Sequence, residues 1–249
     1  MLGAMTSYVP PTPLRFHRTA PLPCPYLAGR TERNLFAELG QAGAAARHDR
    51  LIHAGFRRSH TIVYRPACPG CGACVPVRIA VPAFRPTRSL KRVQRGNSDL
   101  AERSRPPAAT AEHFALFQRY QASRHGDGEM AQMGFADYRA MVEDGAAASV
   151  LFEHCDPAGE VLAVSLTDRV ADGYSAVYSF FDPRENKRSL GTYAILALVA
   201  RAACEGRRHV YLGYWIEASP KMAYKARFPA LERLLPEGWS RSNAGKRAL

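Results

Sequence analysis

The chain has 249 residues, 47% apolar and 10% aromatic, enough to bury one large core or two modest ones, so a disordered or fibrous chain is excluded. Lys and Arg number 34 against 22 Asp and Glu, a formal charge of +12 that makes a polyanion the expected partner. No apolar run is long enough to span a bilayer and the amino terminus lacks the charged-then-apolar order of a signal peptide, so the expectation is a cytoplasmic protein with reduced cysteines and no membrane partner.

Residues 1–30 are rich in Pro and polar side chains and read as an extended lead-in. Leu35, Phe36 and Leu39 then recur at helical spacing behind Thr31, which predicts a helix over 31–39. A second helix is predicted from Ala44 to Ala54, stopped by Gly55, followed by the basic corner Phe56-Arg57-Arg58-Ser59-His60 and a strand over 61–64. Val75 to Val81 reads as the next strand, so a hairpin is expected with the intervening loop at its tip.

That loop holds Cys68, Cys71 and Cys74 in two overlapping C-x-x-C steps, fenced by Pro66, Pro69, Gly70, Gly72 and Pro76. C-x-x-C spacing lets thiolates converge on one centre, and Cys24 in a Pro-rich turn is the candidate fourth ligand, for zinc or an iron–sulfur cluster. Free thiols in a tight loop are the alternative. Cys155 and Cys204 stand in apolar surroundings and read as core residues.

Beyond Phe84, Thr87 is placed to cap a helix on which Arg88, Lys91, Arg92 and Arg95 share one face, with Leu90 and Val93 on another. No acid interrupts the run before Asp99, which favours phosphate binding over a merely solvated face. Arg103 to Ala109, with Pro106 and Pro107, reads as a boundary between a unit over 1–105 that carries the thiols and basic helix and a second over 106–249. The second unit predicts helices over 111–124 and 135–143, then strands over 148–154, 160–170 and 174–181 with a hairpin turn at Asp172-Gly173. A buried helix from Leu190 to Cys204 and a strand from His209 to Tyr214 follow, and the last ten residues read as frayed.

The turn Arg188-Ser189-Leu190-Gly191 at the start of that helix is a natural anion seat. The order of elements, helices then an antiparallel meander then a helix after a basic-Gly turn, resembles the Gcn5-related acetyltransferase fold, an α+β mixed sheet with flanking helices. Tyr193 stands where those enzymes keep a small residue, and its bulk would crowd a coenzyme A pyrophosphate, which disfavours a coenzyme A-dependent acetyltransferase. Tyr174, Tyr178, Tyr211, Tyr214 and Trp215 are expected near the same sheet with Lys221, Lys225 and Arg227 behind, a composition that suits an unstacked nucleotide end or an ordinary core edge. His17, His48 and His53 lack ligand spacing, and no G-x-S-x-G, H-E-x-x-H or Walker loop occurs.

The runs C-P-Y-L-A-G-R (24–30), G-F-R-R-S (55–59), Y-R-P-A-C-P-G-C-G-A-C-V-P-V-R (64–78), R-S-L-K-R-V-Q-R-G-N-S-D-L (88–100), F-F-D-P (180–183), R-S-L-G-T-Y-A-I-L (188–196) and Y-L-G-Y-W-I (211–216), with Lys221-Met222 and Tyr224-Lys225, resemble the bacterial aspartate/glutamate leucyltransferases. These are relatives of the eukaryotic arginyl-tRNA–protein transferases. The resemblance implies an acetyltransferase-like carboxy-terminal domain that moves leucine from leucyl-tRNA onto the α-amine of proteins beginning with Asp or Glu, marking them for degradation. It implies no cofactor for the transfer itself, and it raises the case for zinc or an iron–sulfur cluster at the thiols. Within that reading Arg78 is the candidate for holding the acidic first residue, with Arg57 and Arg65 behind it. Arg88, Lys91, Arg92, Arg95, Arg188, Gly191, Lys221 and Lys225 are the candidates for tRNA. The general base is not assigned. An arginyl-tRNA donor, or a metal-stapled RNA-binding module without catalysis, are the alternatives.

Overall fold

The computed structural model describes residues 13–40, 43–124, 126, 128–145 and 148–241. In chain order the elements are β1 (His17–Arg18), β2 (Leu22–Pro23), β3 (Thr31–Glu32), β4 (Asn34–Glu38), α1 (Ala44–His53), β5 (Arg57–Ser59), β6 (Ile62–Pro66), β7 (Val75–Ala80), α2 (Arg88–Arg95) and β8 (Ala101–Arg105). There follow α3 (Ala111–Arg124), α4 (Phe135–Glu143), β9 (Ser149–Cys155), β10 (Val161–Val170), β11 (Gly173–Phe181), α5 (Leu190–Cys204), β12 (His209–Trp215), β13 (Leu231–Leu235) and β14 (Gly238–Arg241).

A small sheet runs β1-β4-β6-β5 and a large mixed one runs β14-β13-β7-β12-β11-β10-β9-β8. The meander β9-β10-β11 is antiparallel, whereas β11 and β12, joined through α5, are parallel. An α+β molecule results, with the strand–helix–strand order that the sequence implied. On one face α5 buries Ile195, Leu196, Leu198 and Val199 with Val210, Leu212 and Trp215 of the sheet and Leu90 of α2. The pair α3 and α4 packs Leu116, Phe117, Tyr138 and Met141 against Leu151, Val164, Leu166 and Phe180.

Three expectations need correcting. The 31–39 segment is extended: β3 pairs with β2, and β4 pairs with β6 from Asn34↔Pro66 to Glu38↔Ile62. Local helical spacing loses here to a ladder partner some thirty residues away, because pairing with β6 runs the length of β4 while burying Ala37. The expected hairpin does not form either. β6 lies in the small sheet and β7 in the large one, with both edges of β7 taken by β12 and β13. The thiol loop is therefore a crossover between sheets. Cys204 sits in the exposed last turn of α5, not in the core. The frayed tail falls almost wholly on 242–249, outside the described residues.

The small sheet is fastened to the large one by a buried ion pair. Arg58 of β5 donates from Nε and Nη2 to the two carboxylate oxygens of Asp168 on β10, at 2.7 and 2.8 Å. The Ser149 hydroxyl donates to the same carboxylate at 2.7 Å, and His48 of α1 lies 3.3 Å away. Both charges are fully buried, so the fork geometry and the added hydroxyl are what make the burial tolerable.

Candidate active site

β11 and β12 keep register only over Gly173↔His209, Tyr174↔Val210 and Ser175↔Tyr211. Beyond that point they part, β11 running on to Phe181 and β12 to Trp215. Each wall of the wedge carries a bulge. Against β10, the register passes from Tyr178↔Leu166 to Ala176↔Thr167, leaving Val177 as the extra residue. Against β7, it passes from Tyr211↔Arg78 to Gly213↔Val77, leaving Leu212 extra. A bulge turns carbonyls out of the ladder, and parted strands cannot satisfy each other, so these groups need donors from elsewhere.

Two cations supply them. Arg57 Nη2 donates to Val177 O at 2.8 Å and Ala176 O at 3.3 Å. Lys225 Nζ donates to Leu212 O at 2.8 Å and Tyr214 O at 2.5 Å. Gly213 makes the first contact possible: with φ of 72°, it holds a backbone shape that side chains rarely adopt, and a Cβ there would stand 2.5 Å from Arg57 Cζ, Nε and Nη1. Lys225 is only 4% exposed, and burial, reinforced by the Arg57 charge, pushes its ammonium pKa down to about 7.

Tyrosines surround the pair. The Tyr214 hydroxyl shares its one proton between Gly55 O and Tyr64 O, at 3.1 and 3.0 Å. Tyr178 accepts from Gln121 Nε2 at 2.7 Å. Tyr26, Tyr214 and Tyr224 all feel the Arg57 charge, and burial raises each phenol, that of Tyr26 to about 12. The thiol loop adjoins, since Cys74 acts electrostatically on both Tyr26 and Tyr214.

Cys74 itself is pushed up to about 12 by burial and by its neighbours Cys68, Cys24 and Cys71, so the four thiols are close enough to influence one another. Among the described residues no three His, Cys, Asp or Glu are gathered into a set that could hold a metal ion. Cys68 is engaged locally instead, its sulfur accepting from the Arg33 N–H at 3.3 Å and its S–H facing Arg33 O at 3.6 Å. The arrangement of the described thiols thus gives no support to the zinc or iron–sulfur cluster expected from the C-x-x-C spacing.

The other sequence-stated candidates separate. Arg88, Lys91, Arg92 and Arg95 are all exposed on α2, whose cap is Thr87, accepting from Leu90 N–H at 3.4 Å. Arg188 turns away from the predicted anion seat to bind Asp99 at 2.8 and 2.9 Å and Glu185 at 3.0 Å. Gly191 has a packing reason, because a Cβ there would meet Phe181 at 2.8 Å. Lys221 is exposed. Arg78 is clasped by Glu232 at 2.8 Å and Tyr211 Oη at 3.1 Å, with its guanidinium 4.4 Å from the Trp239 ring centre. Arg65 is exposed and donates to Ala54 O at 3.2 Å.

Sequence reasoning did not single out Tyr26, Tyr224 or Gly213 as parts of one site. A signal for Gly213 was present: a glycine interrupting the strand run Y-L-G-Y-W marks a bulge or a close approach.

Comparison with known proteins sets this geometry in a family. Residues 22–92 match the model described as "Arginine-tRNA-protein transferase, N terminus", and residues 112–235 the one described as "Arginine-tRNA-protein transferase, C terminus". The chain is 50% identical to an aspartate/glutamate leucyltransferase of Gluconacetobacter diazotrophicus, over 95% of this chain and 91% of that one. It is 51% identical to the enzyme of that name from Paramagnetospirillum magneticum, over 92% and 94%, and 52% identical to that from Granulibacter bethesdensis, over 91% and 85%. A solved structure titled as L-PGS from Bacillus licheniformis overlaps 58% of this chain at a TM-score of 0.46. The chain thus belongs to the arginine-tRNA-protein transferase family, among the members named aspartate/glutamate leucyltransferases.

Proposed function

We propose that the protein transfers leucine from leucyl-tRNA to the α-amine of proteins beginning with Asp or Glu, in the cytoplasm, and so marks them for degradation. The observation that carries this reading is the wedge between β11 and β12, whose walls are lined by Arg57 and Lys225 with no carboxylate paired to either among the described residues. An aminoacyl-tRNA ester is already activated, so no covalent enzyme intermediate is needed. Seating ester and amine side by side in the wedge supplies much of the rate. The exposed cations of α2 suit the acceptor-stem phosphates, which they would grip without reading sequence.

Arg65 takes the acidic first residue in this reading, because it is exposed, whereas Arg78 is already neutralised by Glu232 and Arg57 is held by the carbonyls of β11. The test is to incubate the purified protein with radiolabelled leucyl-tRNA or arginyl-tRNA and with peptides beginning Asp, Glu, Lys or Ala. Leucine incorporation confined to Asp and Glu peptides is expected. Transfer of arginine instead would reassign the donor, as the description of the family models allows. Retained tRNA without transfer from either donor would reduce the protein to an RNA-binding module.

A further inference from the structure

The fold uses only one corner of the Arg57 guanidinium. Its Nη2 is committed to Val177 O and Ala176 O, while among the described residues Nε–H and Nη1–H have no protein acceptor. Neither of those atoms is sealed from solvent. A guanidinium presents five donors in a rigid plane, so anchoring one corner fixes the direction of the others. Here the anchor is two carbonyls of one wedge wall, and the backing is the backbone of Gly213 on the other. The unpaired Nε–H therefore stands at the gap between the parted strands.

The charge balance at this point is unusual. Arg57 and the buried Lys225 lie close enough for the Arg57 charge to lower the proton affinity of Lys225, yet among the described residues neither forms an ion pair. Three other buried or half-buried arginines are neutralised: Arg58 by Asp168, Arg78 by Glu232, Arg201 by Glu102. A cation held in the interior without a counter-ion is a standing cost, which an arriving negative charge relieves. That charge need not be permanent.

We propose that Arg57 is a catalytic residue of the transfer, its unpaired Nε–H donating to the carbonyl oxygen of the aminoacyl ester as that oxygen becomes an anion. The assignment rests on the transferase reading given above. In the step, the nitrogen of the neutral α-amine bonds to the ester carbon, and the carbonyl π pair moves onto oxygen facing Arg57. When the tetrahedral species collapses, the bond from carbon to the ribose oxygen breaks, and the proton lost from nitrogen balances the one gained by that oxygen. A donor fixed in advance stabilises the transition state more than the ground state, so its removal lowers the chemical rate and leaves binding intact.

Arg57→Lys keeps the charge and one donor to the wall but has no second nitrogen to take the place of Nε–H. In single-turnover transfer from leucyl-tRNA to an Asp peptide, the rate is expected to fall roughly 10²- to 10³-fold. The Kd for leucyl-tRNA and the preference for Asp over Ala peptides should stay within about threefold. A rate within threefold of the wild type would overturn the proposal. So would unchanged rate at saturation with a raised KM for Asp peptides alone, which would make Arg57 the reader of the acidic side chain. A loss confined to tRNA affinity would make it a phosphate seat and would equally overturn it.

The wild-type enzyme separates this from failure of the parent reading: if it transfers nothing, the reading has failed before Arg57 is tested. Should Arg57→Lys not fold, the intact enzyme carries the test. Bound to the adenosine monoester of the phosphonate analogue of leucine, an anionic tetrahedral mimic, it should show the Arg57 Nε–H proton resonance shifted downfield. An unmoved resonance would overturn the proposal.

Discussion

Lys225 is the side chain whose proton is most sensitive to the fold. Its native pKa of about 7 lies below the value of roughly 10.4 for a free lysine, so between those limits the unfolded chain binds more protons than the native one. Stability should therefore rise with pH across that window, by on the order of 2 kcal/mol from pH 7 to 9, as the cost of burying the charge disappears. Urea titrations at the two pH values check this, and Lys225→Met should flatten the dependence. Asp168 acts in the opposite sense, as the anion that makes a buried arginine acceptable. Asp168→Ala would strand Arg58 and should cost about 3–5 kcal/mol, read as a fall in Tm. Arg65→Ala should narrow the preference for Asp over Ala peptides with little change in Tm, because its guanidinium is exposed. None of these pairings could be read from order along the chain. Arg58 and Asp168 are 110 positions apart and Arg78 and Glu232 are 154, and nothing local marks one as the partner of the other.

At the scale of elements, what was legible depended on how much of an element's stability is local. The predicted helix α2 and its Thr87 cap are present because the apolar stripe, the cap and the stop at Gly96 all lie within a dozen residues. The helices α3, α4 and α5 and the meander strands were legible for the same reason. The segment 31–39 was not, since its strands exist only through partners in β2 and β6. Nor were β13 and β14 foreseen, β13 being short and dependent on β7. The exposed cations of α2 lead to an element-scale prediction. If each of Arg88, Lys91, Arg92 and Arg95 meets a phosphate, replacing all four by Gln should reduce the slope of log K against log salt by roughly 3, about 0.7–0.9 per contact. Filter binding of tRNA over a salt series measures it, and circular dichroism confirms that the helix persists.

On the scale of the whole molecule, the site is a product of two sheets meeting. β11 and β12 make the wedge, but Arg57 comes from the small sheet, Lys225 from a 3₁₀ turn (Ala223–Arg227) after β12, and Tyr26 from the lead-in. The composition signalled the polyanionic partner and the motifs the kind of transfer, yet the convergence of these residues was invisible until the sheets were placed together. The location of the thiols was likewise open in sequence. Reading β6 and β7 as a hairpin put the loop at a distant tip, whereas the crossover carries it beside Tyr26 and Tyr214.

The placement of β7 governs how the protein must be made. This strand leaves the ribosome early, but its ladder partners β12 and β13 follow more than a hundred residues later, so it waits unpaired with Val77 and Ile79 uncovered. At translation speeds of about 5–20 residues per second the wait lasts on the order of ten seconds, long enough for an apolar strand to find a wrong neighbour. A nascent chain arrested at residue 205 should accordingly be protease-sensitive around 75–80 and captured by chaperones, and extension through residue 241 should end both. Synthesis thus withholds the wedge until β12 and β13 have emerged, and a product that stops before them would lack it.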